Sequence, residues 1–455
     1  MQVVIDYIKQ NRQRFVDELI EWVKIPSISA QSSHKGDCER AAQFVLSQLN
    51  TMGFETKLCP TPGNPIVLGK HHKAPGKPTV LIYGHYDVQP EDPVELWQTP
   101  PFDPQVREGN LIARGATDNK GQCFAHIKAV ESIIQTDGEL PVNVTFLIEG
   151  EEEIHSKNLY DFILANKNEL QCDVGVISDS SQFAAGAPAV TYGLRGIVGE
   201  EIRVTGPKQD LHSGVYGGAV ANPCNVIADI IAKLKDDKGR VAIPGFYDDV
   251  LELEPWEREA FAKLPFNEQT LKNSVGVKAL SGEQGYNSYE QRWARPTLDV
   301  NGIFGGYQGE GSKTIIPSWA GAKITMRMVP NQNPEDIHQK FVDYVKSIAP
   351  PSVQVTFKDG GGCGAVLVPR DARFMDQAVE AVKRGFGAEP VFIREGGSIP
   401  IVLTLSEELG VHVLLIGFGL PDDNMHGPNE KFSLDDFVKG IKTSAWLLHL
   451  CGEAK

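Results

Sequence analysis

Residues 111–136 read LIARGATDNKGQCFAHIKAVESIIQT. A short β-rich run at 111–113 gives way to the small-residue loop GATDNKG at 115–121, and a helix is predicted over 120–136 because Cys123, Ile127, Val130 and Ile134 recur on one face. The loop offers one carboxylate, Asp118, between strand and helix. An Asp there is ordinarily a helix cap. The same pattern recurs along the chain, however, each time ending in a residue able to bind a metal. Residues 79–83 lead into GHYDVQP with His85, 142–148 into EGEEEIHS with Glu153, 173–177 into Ser178 and Asp179, and 412–418 into a loop carrying His426. Strands alternating with helices predict an α/β fold with a mostly parallel sheet. Ligands of such sheets gather beyond the carboxyl ends of the strands, so five metal-compatible side chains at five strand ends imply one shared site.

Upstream, helices are predicted over 2–24, ended by Pro26, and over 38–52, closed by Gly53. The pattern changes after TYGLRG (191–196). A strand at 198–204 is followed by a helix opened by Asn222 and Pro223, strands at 297–303 and 322–329, a helix opened by Asn333 and Pro334, and a strand at 353–357. That order, β-α-β-β-α-β, is a ferredoxin-like layer. Residues 237–296 are an insertion within it, and the α/β pattern resumes from 371. The expected organisation is a discontinuous catalytic domain of 1–192 and 368–455 with a second domain, 193–367, inserted into it.

A chain of 455 residues, 41% hydrophobic and 23% charged, is expected to fold as two or three soluble domains. A formal charge of −15 argues against nucleic-acid or anionic-membrane partners, both of which need basic surface. The seven cysteines are odd in number and form no C-x-x-C pair, as in a reducing cytoplasm. The N-terminus lacks the apolar core of a signal peptide, and no apolar run approaches the roughly 20 residues of a membrane span. A cytoplasmic location is expected.

Two divalent cations sharing one carboxylate need a bridging Asp, and each then needs a further carboxylate and a neutral imidazole. His85, Asp179 and Asp118 fit one ion, and Glu153, His426 and Asp118 the other. Such oxygen and nitrogen ligands suit Zn²⁺, Mn²⁺ or Co²⁺. Asp87, two residues after His85, is placed to orient its imidazole, although a turn Asp is as good a reading. Adjacent acids of EGEEE can turn one onto a metal and one towards a water whose pKa the metal lowers. Gly396 and Gly397 of REGGSIP allow close backbone approach to a ligand, although a tight turn would need them equally. Arg327 alternates with Ala322, Ile324, Met326 and Met328, and so faces away from the apolar side of its strand, as a ligand-facing or a solvated Arg would.

Together GHYDVQP, RGATDNKG, EGEEE, SDS, TYGLRG, DLHSGVYGG, KTIIP, MRMVPN, REGGSIP and HGPNEKF resemble, in order and over nearly the whole chain, a family of dinuclear metallopeptidases and deacylases. That family includes carnosine dipeptidases, glutamate carboxypeptidase, acetylornithine deacetylase and succinyl-diaminopimelate desuccinylase. TYGLRG, DLHSGVYGG and REGGSIP place the resemblance nearest the dipeptidases. It implies the ligand set above, Glu152 as general base, and a cis peptide bond after Asp118. It further implies that the inserted domain is a lid that mediates homodimerisation, with His212 reaching into the partner's active site to stabilise an oxyanion. Arg327, Ser398 and Thr314 match substrate-contacting positions, the first two at a free carboxylate. At Ile154 and His155 the chain departs from relatives that carry a small residue and Gly. The reaction implied is hydrolysis of the amide bond of dipeptides or similar short substrates. Deacylation of N-acyl amino acids at the same centre, or a non-catalytic metal-bound relative, are the alternatives.

Overall fold

The computed structural model describes residues 1–265 and 267–454; Phe266, within the expected 237–296 insertion, and Lys455 lie outside the described residues. The chain forms two compact units. One comprises Met1–Tyr192, Val368–Ile393 and the segment from Pro400 to the C-terminus, and the other comprises Gly193–Leu367 and Arg394–Ile399.

The first unit is mixed α/β around a large sheet. Thr79–His85 lies between Asn143–Glu149 and Val174–Ile177, and Val413–Leu415 follows beyond Val174–Ile177, all in parallel. Antiparallel strands flank this parallel middle: Ile66–His71 and Glu55–Cys59 on one side, Ala189–Leu194 on the other. Val80, Leu81, Ile82, Val144, Phe146, Leu147, Ile148, Val174 and Val176 are all buried, the pattern of strands covered on both faces. Because the parallel strands point the same way, the residues that follow them collect along one edge.

Lys120–Asp137 packs against the long C-terminal helix Leu434–Glu453. It is enclosed on all sides from Lys120 to Ile133, not along one face alone. Its polar residues tolerate this because they are paired: Lys128 meets Glu131 at 2.6 Å and also contacts Glu18. Gly138, with φ 81°, ends the helix in the left-handed conformation that Gly adopts without a Cβ clash.

One expectation needs correction. The strand before GATDNKG, Asn110–Ile112, is not in the central sheet but in a separate antiparallel sheet with Gln105–Arg107 and Lys431–Ser433. Asp118 therefore reaches the site from a loop above a helix and not from a strand of the main sheet. The helix expected over 2–24 is likewise two, Gln2–Gln10 and Arg12–Val23, separated at Asn11.

The second unit carries an antiparallel sheet in the order Thr297–Gly305, Trp319–Met328, Gly196–Thr205, Gln354–Cys363. Helices Pro223–Lys233 and Pro334–Ile348 begin as their Asn-Pro openings predict, Asn222 accepting from Cys224 N–H and Asn333 from Asp336 N–H. Val226, Ile227 and Ile230 of the first and Ile337, Phe341 and Val345 of the second join Val198, Ile202, Ile324 and Met326 of the sheet in one core. Residues 237–296 contribute short helices, including Pro255–Lys263 and Ser288–Trp293, pinned by a Phe261–Trp293 ring pair at 5.3 Å. Among the described residues no helix is long and apolar enough to cross a membrane.

Candidate metal centre

His85 ends its strand with its side chain fully buried, and its Nδ1 lies 3.1 Å from the carbonyl oxygen of Asp87. A neutral ring therefore carries its proton on Nδ1 and presents the Nε2 lone pair. Nε2 lies 3.2 Å from Asp118 Oδ1 and 3.7 Å from Asp179 Oδ2, is buried, and makes no hydrogen bond of acceptable geometry. A lone pair facing two carboxylates is repelled unless a positive charge, a proton or a metal ion, lies between them. The chemistry of this donor set thus fits a metal ion.

Asp118 turns its other oxygen to the remaining ligands. Oδ2 lies 3.0 Å from His426 Nε2, which is 3.3 Å from Glu153 Oε2. In His85, Asp118 and Asp179, and again in Asp118, Glu153 and His426, one ligand atom per residue falls within 4.8 Å of the others. Glu152 joins His85 and Glu153 in a further such group. All seven predicted residues of this region, Asp87 included, lie in the first unit.

Asp118 is not a helix cap. That position belongs to Asn119, whose side chain makes no capping bond. Instead Asn119 Nδ2 donates to Ser178 O at 2.7 Å and to Asp179 Oδ1 at 2.8 Å, fixing one ligand from beside another. The Asp118–Asn119 peptide is cis. Asp87 does more than face His85. Its two carboxylate oxygens accept the backbone N–H of Glu152 at 3.2 Å and of Glu153 at 3.1 Å.

The charges are strongly coupled. Burial alone would lower His85, but Asp118 and Asp179 outweigh it and hold the ring well above its usual range. Asp118 and Glu153 push His426 up to about 10. Burial raises Asp118, and the facing imidazoles His426 and His85 reverse this and leave it low. Glu152 is held well above the carboxylate range, first by burial and then by Asp179, Glu153 and Asp118, with His85 opposing. The carboxylates thus make the centre favourable to positive charge.

The sequence profile of peptidase family M20/M25/M40 matches residues 81–449, a stretch that contains every one of these side chains. The chain belongs to peptidase family M20/M25/M40. Within this family it is 34% identical to the Cys-Gly metallodipeptidase dug1 of Schizosaccharomyces pombe over 98% of the chain and 97% of that protein. It is 31% identical to the human Beta-Ala-His dipeptidase over 98% of the chain and 91% of that protein. Among solved structures, the M20 metallo-carboxypeptidase Sso-CP2 of Sulfolobus solfataricus superposes with a TM-score of 0.87 at 34% identity, covering 97% of the chain and 99% of that structure. The two dipeptidase relatives agree with the dipeptidase branch to which the motifs point.

The remaining predicted residues lie in the second unit. His212 is exposed, and its Nδ1 accepts Gly214 N–H at 3.0 Å. Thr314 adjoins it, since His212 pairs with Ile315 and the N–H of Ser213 donates to Thr314 O at 3.0 Å. Arg327 Nη1 donates to Ser398 Oγ at 3.0 Å, and Ser398 Oγ in turn donates to Arg195 O at 2.5 Å. At Gly396 an added Cβ would come within 2.9 Å of Arg195 Nη2 and 3.0 Å of Arg292 O, both groups of the protein itself, whereas at Gly397 nothing among the described residues lies within 4 Å. His155 is exposed with φ 79°, in the left-handed region that favours Gly.

Sequence reading missed three residues. Arg195 of TYGLRG stands beside Arg327, and among the described residues its buried Nη1 has no hydrogen-bond partner. Burial, then Arg327, lowers it to about 10. Arg114 and Glu430 form a buried ion pair at 2.8 Å beneath the GATDNKG loop. A charged residue flanking each of two ligand motifs was the available signal.

Proposed function

We propose that this M20 chain hydrolyses the amide bond of dipeptides or similar short substrates with a free carboxylate, using two divalent ions per subunit, zinc or manganese, with cobalt as an alternative. The observation that carries this is the pair of ligand clusters sharing Asp118, with the Glu152 carboxyl beside them. The names of the dipeptidase relatives support the substrate class. His85, Asp118 and Asp179 would hold one ion, and Asp118, Glu153 and His426 the other. Bound there, such ions polarise a carbonyl and make a water acidic enough to attack near neutral pH. Glu152 takes the proton of the attacking water and delivers it to the leaving amine. Asp87 holds the backbone of Glu152 and Glu153 in place.

His212 has Nδ1 occupied by a donor, so its neutral ring carries the proton on Nε2 and offers that N–H to the developing oxyanion. The 193–367 segment is read as the lid and homodimerisation domain of a catalytic domain of 1–192 and 368–455, with His212 serving the partner's site. Thr314 is assigned to substrate contact on the motif match, and Gly396 and Gly397 on the close backbone approach that glycine permits. The free cysteines among the described residues support a cytoplasmic location.

Arg327 and Ser398 are assigned to the substrate carboxylate, with Arg195 adjoining. Arg327→Ala is expected to raise KM for carboxylate-bearing dipeptides roughly 10- to 100-fold with little change in kcat. Substrates with an amidated C-terminus should respond little. An unchanged KM removes Arg327 from this role.

The proposed reaction is tested by restoring Zn²⁺, Mn²⁺ or Co²⁺ to the apoprotein and assaying a dipeptide library beside N-acyl amino acids. Dipeptides are expected to turn over faster. Preference for N-acyl amino acids would make the chain a deacylase, and no turnover of any amide with both metals bound would make it non-catalytic.

A further inference from the structure

Glu430 is fully buried, four residues past His426. Its Oε2 accepts Arg114 Nη1 and Gly115 N–H, both at 2.8 Å, and its Oε1 accepts Thr117 N–H at 2.9 Å and Asp118 N–H at 3.1 Å. Arg114, also buried, sends Nη2 to the carbonyl oxygens of His426 and Pro90, each at 3.2 Å. One ion pair is therefore bonded to the N–H of Asp118 on one side and to the carbonyl of His426 on the other. These are the two residues whose side chains meet at 3.0 Å in the metal centre.

A buried ion pair gives little net stability compared with apolar packing, because both charges lose water. What it provides is direction. Four donors fill both oxygens of Glu430, and the last of them belongs to the residue that must face two imidazoles at once. We propose that Glu430, with Arg114, is a positioning residue of the metal centre, fixing the backbone of Asp118 against that of His426 so that the shared carboxylate addresses both ion sites. This rests on the reading of Asp118 and His426 as ligands.

Glu430→Gln keeps the shape but replaces one acceptor oxygen with a donor, leaving two of the four N–H groups facing an NH₂. Arg114→Lys keeps the charge beside Glu430 but cannot also reach His426 and Pro90 with a planar fork. The full-length apoproteins are titrated with Zn²⁺ in competition with a chromophoric chelator, at a temperature where circular dichroism shows each variant folded, with Asp118→Ala as the reference. Glu430→Gln is expected to weaken both ions about 10- to 100-fold, the range found when outer partners of metal ligands are removed. Arg114→Lys is expected to weaken mainly the ion on the His426 side, and it decides the matter if Glu430→Gln does not fold. Wild-type Zn²⁺ affinity with only a lower apoprotein melting temperature would reduce the pair to a structural role and overturn the proposal. If Asp118→Ala itself keeps both ions, the ligand reading fails instead.

Discussion

Glu152→Gln is expected to retain both metal ions while losing about 10²- to 10⁴-fold in kcat on dipeptides, the usual worth of a general acid–base group. The substitution preserves shape and removes only the ability to carry a proton. Glu152 is not itself a proposed ligand, and the N–H it donates to Asp87 is its main-chain one, so the EGEEE turn should survive. Burial raises the Glu152 carboxyl well above its ordinary range, with nearby carboxylates adding to the effect; cations at the centre act in the opposite direction. Below the resulting pKa the base is protonated and activity falls, so the acid limb of the wild-type pH profile should be absent from the residual activity of Glu152→Gln. Near-normal turnover with both metals present would remove Glu152 as the base. The same variant tests His212. In mixed dimers of Glu152→Gln and His212→Ala chains, a trans contribution restores one of the two sites, and a cis contribution restores neither.

Asp118→Ala is expected to lose both ions together, and with them all measurable hydrolysis. Asp118 is common to the His85-Asp118-Asp179 and Asp118-Glu153-His426 clusters, one oxygen at 3.2 Å from His85 and the other at 3.0 Å from His426. Without it, each cluster is reduced to one imidazole and one carboxylate. Asp179→Ala and Glu153→Ala each leave one cluster intact and should weaken one ion first. Metal content after dialysis, measured by atomic emission, distinguishes these outcomes. An Asp118→Ala protein that keeps one ion at wild-type affinity would end the shared-ligand assignment.

Much of this centre was legible because parallel strands deliver their following residues to one edge. His85, Glu153 and Asp179 each succeed an apolar run that is a buried strand, and the sheet brings those runs side by side. The second unit was legible for another reason: Asn222-Pro223 and Asn333-Pro334 announce helix starts by local chemistry. Where the reading stopped, the cause was distance along the chain or shortness of pattern. Three residues at 111–113 cannot show which sheet they join, and their partner Lys431–Ser433 is remote. Arg114 and Glu430 each place a charge beside a ligand motif, but 316 positions separate them, so the sequence does not show that they pair. The tether between Nδ1 of His212 and the N–H of Gly214 was likewise invisible as a sequence, since it depends on the backbone turn at 212–214.

The carboxylate of Asp87 has a mechanical meaning. By accepting two successive main-chain N–H groups, one on each oxygen, it ties the backbone of Glu152 to that of Glu153. If Glu153 holds an ion and Glu152 carries the proton, as proposed, an exchange of metal that moved the one would be passed through this shared turn to the other.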